Sequence, residues 1–237
     1  TPTPPIIPTS THEPTETLVP TATLTPTDVP TSTPIPPTET PTITPTSTWV
    51  YHEAGEVIAP ILLYHHVNGD YAENRYSVSI PEFSDQMRYL YDNGYTAITI
   101  STLLDVILYG GELPAKPIVI TFDDGNIGVY ENAFPIMDAY GFPGVFYIVA
   151  SRIRDVEGFV NVEQIIEMVE DGWEIGSHSF THQDITQNHA IADYEIRQSK
   201  IALEDALGID INTFAYPFGE IDDYVVQVVI NSLYQAG

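Results

Sequence analysis

The chain has 237 residues, which suits one large domain or one medium domain with a tail. Its 33 acidic and 7 basic side chains give a formal net charge of −26, which argues against a nucleic-acid, polyanionic or membrane-surface partner because phosphate binding needs clustered lysine and arginine. The sequence has no cysteine, which excludes disulfide scaffolds, cysteine-ligated zinc and cysteine nucleophiles.

The first 48 residues have an unusual composition. They hold 13 of the 20 prolines, 18 threonines, four acidic residues and no lysine or arginine. Proline removes backbone donors and favours extended backbone, and the segment has too little apolar surface to fold. We therefore expect a disordered Thr/Pro-rich stalk or linker over residues 1–48. A stalk would suit an exported, cell-surface or extracellular protein, and a plain disordered linker explains the composition equally well.

Residues 49–237 have the composition of a globular domain, in which apolar runs alternate with amphipathic stretches. The predicted elements are, in chain order, a strand at Ile58–Val67, a helix at Pro81–Asn93, a strand at Tyr95–Ile100, a helix from Thr102, a strand at Pro117–Phe122, a helix at Val129–Tyr140, a strand at Gly144–Val149, a helix at Val162–Glu170, a strand at Trp173–Gly176, a long helix ending near Leu207, a strand at Ile211–Tyr216 and a helix from Ile221. This alternation predicts parallel strands with helical crossovers, as a (β/α) barrel or as a doubly wound sheet. In both folds, functional residues collect at the carboxyl ends of the strands.

Two adjacent carboxylates, Asp123 and Asp124, follow an apolar predicted strand, and Gly125 lets the backbone turn sharply after them. Neighbouring side chains at a strand end point in different directions, so one carboxylate can bind a metal while the other acts on water. Taken alone, the pair is more typical of a turn or a helix cap.

Two histidines four residues apart, His178 and His182, also follow a predicted strand. This spacing lets both imidazoles bind one ion from a turn. With Asp124 they would form a site of two histidines and one carboxylate, with open positions for water and substrate. Such a site suits zinc or another divalent transition metal.

A third segment, residues 214–219, ends the last predicted strand with the sequence Phe-Ala-Tyr-Pro-Phe-Gly. Pro217 fixes one backbone torsion and Gly219 frees another, so the loop can present a backbone N–H in a fixed direction. Such a donor can stabilise an oxyanion. Without the other two segments, this one is typical of an ordinary loop.

Together the three segments resemble the polysaccharide deacetylase family, the NodB-homology domain of carbohydrate esterase family 4. The resemblance runs from about residue 58 to the end of the chain. It implies a distorted (β/α) barrel, smaller than the eight-fold type, with a divalent metal at its mouth. The roles that it implies by position are the general base for Asp123, the metal ligands for Asp124, His178 and His182, and an oxyanion-holding backbone N–H for Phe218.

The chain departs from the family pattern in two places. Many members carry an arginine in the third segment, where this chain has Ala215. The resemblance also places the histidine general acid in later motifs, so we expect it beyond Gly237. We therefore expect a C-terminally incomplete domain that is a weak catalyst or none, and an active complete protein. The chain begins at Thr1 without a methionine or leader and has no apolar run long enough for a membrane span, which predicts a fragment or processed product.

Residues around the predicted barrel mouth are weaker candidates for substrate binding. His66, like His65 beside it, closes the first predicted strand and either lines the mouth or points into the core. Tyr216 and Pro217 are expected to contact a sugar ring, although aromatic residues at a barrel mouth are more often simple packing.

The sequence therefore favours an exported, zinc-dependent hydrolase that removes N-acetyl groups from a polysaccharide, such as a chitin-like oligomer, poly-N-acetylglucosamine or peptidoglycan of the cell wall. An O-acetyl esterase acting on xylan is an alternative with the same chemistry. A glycan-binding surface protein that has lost catalysis is an alternative of another class. A purely structural domain would need three motifs to match by accident. The oligomeric state stays open.

Overall fold

The computed structural model describes residues 48–69, 74–154 and 156–237. Apart from Thr48, the predicted stalk lies outside the described residues. The strands are β1 Trp49–His52, β2 Ile61–Tyr64, β3 His66–Val67, β4 Ser77–Val78, β5 Thr96–Ala97, β6 Gly111–Pro114, β7 Pro117–Phe122, β8 Val145–Ile148 and β9 Glu174–Ser177. The helices are α1 Ile80–Asp92, α2 Ile100–Tyr109, α3 Phe134–Asp138, α4 Val162–Glu170, α5 His189–Leu207 and α6 Asp223–Asn231.

A parallel sheet in the order β2-β7-β8-β9 occupies the centre, and β5 pairs with the first residues of β7. In its register, Tyr64 lies beside Phe122, Phe122 beside Phe146, and Ile148 beside Ser177. Because these strands run in the same direction, their carboxyl ends share one edge of the sheet. This mixed α/β architecture, with helices between parallel strands, confirms the fold class predicted from the sequence.

The side chains of β7 alternate between two apolar clusters, so all six residues of this strand are buried. Ile118, Ile120 and Phe122 face the larger cluster, to which α1 and α3 to α6 contribute. Val119 faces a smaller cluster, which contains residues of α2 and Leu113 of β6. A strand that is buried on both faces has a continuous apolar sequence, which is why its predicted bounds were correct.

Polar side chains define where two of the helices begin. At α1, the Ser79 hydroxyl accepts a hydrogen bond from the Glu82 N–H, and the Glu82 carboxylate accepts one from the Ser79 N–H. At α4, Asn161 and Gln164 exchange the same pair of bonds. These capping boxes satisfy backbone donors that the first helical turn leaves unpaired. The α4 helix then packs behind β9.

The predicted strand at Ile211–Tyr216 was wrong, because this segment makes only isolated bridges, one of them between Phe214 and Ser177. Side chains of α5 form hydrogen bonds with the backbone of Ile211, at the start of this segment. The Ile211 N–H donates to the Glu204 carboxylate, and the Lys200 side chain donates to the Ile211 carbonyl. Pro217 at its end has no N–H to continue a ladder.

Two other strand predictions also need correction, and one strand pair was missed. The predicted first strand at Ile58–Val67 divides into β2 and β3, and β3 pairs with β4 rather than with the central sheet. The predicted strand at Tyr95–Ile100 shortens to β5, because α2 begins at Ile100 with Thr99 as its cap. The β1–β6 antiparallel pair was not predicted. Within the described residues, no helix combines the length and apolarity of a membrane span.

Candidate active site

The carboxyl edge of the sheet brings together the three residues predicted as metal ligands. One ligand atom from each of Asp124, His178 and His182 lies within 4.8 Å of the other two. The Oδ1 atom of Asp124 is 3.2 Å from Nε2 of His182 and 3.9 Å from Nε2 of His178. Two imidazole nitrogens and one carboxylate oxygen form a donor set that fits zinc and similar divalent ions.

A backbone carbonyl fixes the orientation of His178. Its Nδ1 atom lies 2.8 Å from the carbonyl oxygen of Ala215. Because a carbonyl only accepts hydrogen bonds, Nδ1 carries the proton and Nε2 keeps its lone pair for the cluster. Burial lowers the pKa of His178, so the imidazole is neutral near pH 7, as a metal ligand must be. Position 215 thus contributes to the site through its backbone.

The backbone is strained at the site. Asp124, Ser179, His182 and Phe218 have φ angles of 77°, 65°, 64° and 63°, and Leu233 is the one other non-glycine residue with positive φ in the described part of the chain. Such conformations cost about 1–3 kcal/mol each and concentrate where function requires them. The three loops predicted to be functional therefore contain most of the unfavourable backbone in the domain.

Hydrogen bonds hold the loop between the two histidines. The His182 N–H donates to the hydroxyl of Ser179 over 2.9 Å. The N–H groups of Ala150 and Ser151, just beyond β8, donate to the carbonyls of Ser179 and Phe180 over 3.1 and 2.9 Å. The histidine loop is thus fastened to the neighbouring strand end, although its backbone is strained.

Asp123 adds a second carboxylate to the cluster. Its side chain is buried, and its Oδ2 atom lies 3.9 Å from Nε2 of His178. Its Oδ1 atom is also buried and has no hydrogen-bond partner among the described residues. Burial, together with the negative charge of Asp124, raises the pKa of Asp123 to about 7. A buried oxygen without a partner and a pKa near neutrality suit a group that exchanges a proton.

The third segment reaches the cluster through Phe218, whose ring centroid lies 4.7 Å from that of His182. The Phe218 side chain is 64% exposed, so its face is open to solvent beside the cluster. Pro217 is buried, and Tyr216 packs edge-on against Phe214 with centroids 5.3 Å apart. Sugar contacts by Tyr216 and Pro217 stay predictions.

His65 interacts electrostatically with Asp124 and His182 of the cluster, which the sequence did not indicate. Because Tyr64 pairs with Phe122 and accepts a hydrogen bond from the Asp123 N–H, His65 follows at the same sheet edge. Burial lowers the pKa of His65, and the negative charge of Asp124 opposes that shift. His66, the residue predicted to contact substrate, pairs with Ser77 in β3–β4, and its role stays a prediction.

Arg152 is a site residue that the sequence analysis missed. Its Nη1 atom lies 4.0 Å from Oδ1 of Asp124, and its guanidinium stacks over the Phe159 ring at 4.6 Å. Arg152 lies in a short turn after β8, outside the three segments with recognisable spacing. Only the knowledge that β8 lies between β7 and β9 would have indicated it.

Comparisons with known proteins point to the family that the sequence resembles. The sequence profile described as polysaccharide deacetylase matches residues 110–237. Over 169 residues the chain is 27% identical to the poly-β-1,6-N-acetyl-D-glucosamine N-deacetylase of Staphylococcus aureus. The aligned segment covers 65% of this chain and 58% of that enzyme.

Two solved structures share the fold. The deacetylase PplD of Streptococcus pyogenes, in complex with acetate, superposes with a TM-score of 0.70 at 24% identity, over 80% of this chain and 84% of that one. IcaB of Ammonifex degensii superposes with a TM-score of 0.66 at 27% identity, over 77% of this chain and 84% of that one. The NodB-type α/β fold predicted from the sequence is confirmed.

Proposed function

We propose that this chain, which belongs to the polysaccharide deacetylase family, is a metal-dependent hydrolase that removes N-acetyl groups from a polysaccharide. The observation that carries the proposal is the cluster of Asp124, His178 and His182 beside the buried carboxylate of Asp123. The S. aureus relative is named for its action on poly-β-1,6-N-acetyl-D-glucosamine, which supports an N-acetylated glucosamine polymer as the substrate. Because the chain spans 58% of that relative, the activity of the whole protein is part of the proposal.

We propose zinc as the ion, which Nε2 of His178, Nε2 of His182 and Oδ1 of Asp124 would hold. When bound, a divalent ion lowers the pKa of a water molecule toward about 7 and polarises an acetyl carbonyl. His178 is suited to bind an ion before any ion arrives, because its ring is neutral and carries its proton on Nδ1.

In the proposed reaction, Asp123 takes the proton that the attacking water loses. Its unpartnered Oδ1 atom and its pKa of about 7 support this role as general base. The water oxygen bonds to the acetyl carbon, and the carbonyl oxygen becomes negatively charged. We assign the stabilisation of that oxygen to the backbone N–H of Phe218, whose ring lies beside His182.

The second half of the reaction breaks the bond between the acetyl carbon and the sugar nitrogen, and the departing amine needs a proton. We assign its delivery to the protonated form of His65, which follows β2 at the sheet edge beside Asp123. The products are acetate and a free amino sugar.

We also propose that the protein acts outside the cell, on a matrix or cell-wall glycan. A polymeric substrate supports this location, because such glycans lie outside the membrane. The Thr/Pro-rich composition of residues 1–48 is typical of segments that hold a domain away from a surface.

The test is a zinc titration of the full chain by calorimetry, with Asp124→Ala and His178→Ala as variants. His189→Ala is the matched control, because this exposed histidine pairs with Asp222 at 2.6 Å, apart from the cluster. We expect one site per chain, lost in both variants and retained in the control.

Acetate release then separates the substrate classes. We expect acetate from poly-N-acetylglucosamine and none from acetylated xylan. A folded chain that binds no zinc, or one that releases acetate only from xylan, would contradict the proposal.

A further inference from the structure

A buried carboxylate, Glu195 of α5, lies directly behind the histidine loop. Its side chain is 2% exposed. The Thr181 N–H donates to its Oε2 atom over 2.7 Å, and the Thr181 hydroxyl donates to its Oε1 atom over 2.6 Å. Thr181 immediately precedes His182 and lies between the two histidines of the cluster. Both oxygens of this carboxylate therefore act on the segment that carries a predicted metal ligand.

The choice of a carboxylate at this position is physically costly. Burying a charge requires strong compensation, and a neutral amide could accept a hydrogen bond from the same backbone at a lower desolvation cost. Within the described residues, the hydrogen bonds of Glu195 go to Thr181 and no basic side chain forms an ion pair with it. A carboxylate, unlike an amide, can accept a hydrogen bond from Thr181 with each of its two terminal atoms.

The loop on which Glu195 acts also needs to be held. Ser179 and His182, on either side of Thr181, have φ angles of 65° and 64°, which residues other than glycine rarely adopt. The two short bonds from Thr181 oppose relaxation of this segment.

We propose that Glu195 is a positioning residue of the metal centre, which fixes His182 toward Asp124 through Thr181 and strengthens the binding of a divalent cation by its negative charge. The inference rests on the proposed function. Groups that support metal ligands from behind typically change metal affinity or activity by about 10–100-fold when they are removed. Glu195 differs from a direct ligand because both of its oxygens accept hydrogen bonds from Thr181.

The experiment compares Glu195→Gln, which keeps the shape and an acceptor oxygen but removes the charge, with Glu195→Ala, which removes both. Asp205→Asn is the control, because it removes a charge from an exposed side chain ten residues further along the same helix. The full chain is titrated with zinc, the absorption spectrum of its cobalt(II) form is recorded, and the melting temperature of the metal-free form is measured.

We expect Glu195→Gln to melt like the wild type and to bind zinc about 10-fold more weakly, and Glu195→Ala to bind about 100-fold more weakly with an altered cobalt spectrum. Asp205→Asn should bind like the wild type. If Glu195→Ala does not fold, Thr181→Val replaces it, because it removes only the hydroxyl bond.

Wild-type zinc affinity in Glu195→Gln would overturn the inference and leave the proposed function intact. An equal loss in Asp205→Asn would overturn it as well, since the effect would then come from the overall charge. If the wild type itself binds no zinc, the proposed function fails and the inference falls with it.

Discussion

Gly176 lies in β9, two residues before His178, at a point where the structure has no room for a side chain. A Cβ atom built there would lie 2.4 Å from ring carbons of Tyr147 and 2.7 Å from Oγ1 of Thr213. Both neighbours are buried. We therefore predict that Gly176→Ala destabilises the domain and weakens metal binding at His178.

The size of the effect follows from these distances. Ordinary contacts begin at 3.4 Å, so the Tyr147 ring or the strand must move by about 1 Å. Such overpacking costs about 1–3 kcal/mol, and the lower entropy of the unfolded alanine chain offsets about 0.4–1 kcal/mol of this. A net loss of about 1–2 kcal/mol lowers the melting temperature of a domain of this size by about 2–8 °C. A shift of about 1 Å in a positioned group can also reduce the rate about 100-fold.

Thermal unfolding followed by circular dichroism, together with zinc calorimetry, measures both effects. The design is a double-mutant cycle with Tyr147→Ala, which removes the ring that an alanine at position 176 would strike. The double variant should be more stable than the sum of the two single losses predicts, by about 1–3 kcal/mol. An unchanged melting temperature in Gly176→Ala, or strictly additive losses, would refute the packing argument.

Four further predictions concern the chemistry and the scaffold. Asp123→Asn should lower the rate of acetate release about 100–10,000-fold at nearly unchanged zinc affinity, because it removes the base and no ligand. His65→Ala should slow release from an amide far more than from an aryl acetate, whose leaving group needs no proton, and His66→Ala should show no such difference. Asn161→Ala, which breaks the α4 capping box with Gln164, should lower the free energy of unfolding in urea by about 1 kcal/mol without changing activity. Zinc at about 100 times its dissociation constant should raise the free energy of unfolding by about 2.7 kcal/mol, and a chelator should reverse this gain.

Each of these predictions has an outcome that contradicts it. Loss of zinc binding in Asp123→Asn would make this residue a ligand rather than a base. Equal slowing of amide and ester in His65→Ala would remove its role as proton donor. An unchanged unfolding curve in Asn161→Ala would show that the cap adds nothing to stability, and a melting temperature that is independent of zinc would mean that no metal binds the folded state.

The sequence by itself determined the fold class and the grouping of Asp124, His178 and His182. The bounds of β7 were predictable because burial on both faces requires an uninterrupted apolar run. The convergence of Asp124, His178 and His182 was predictable because carboxyl ends of parallel strands meet at one edge. Both inferences use local pattern together with a general rule of topology.

The tertiary structure alone decided which other residues surround that cluster. Arg152 has no motif around it, and Glu195 lies inside a helix fourteen residues beyond Thr181, so neither has a local signal. The predicted strand at 211–216 is reduced to isolated bridges, and side chains of α5 bond the N–H and the carbonyl of Ile211 at its start. Local sequence specifies what a segment can form, whereas the competition for its hydrogen bonds and charges depends on which segments folding brings beside it.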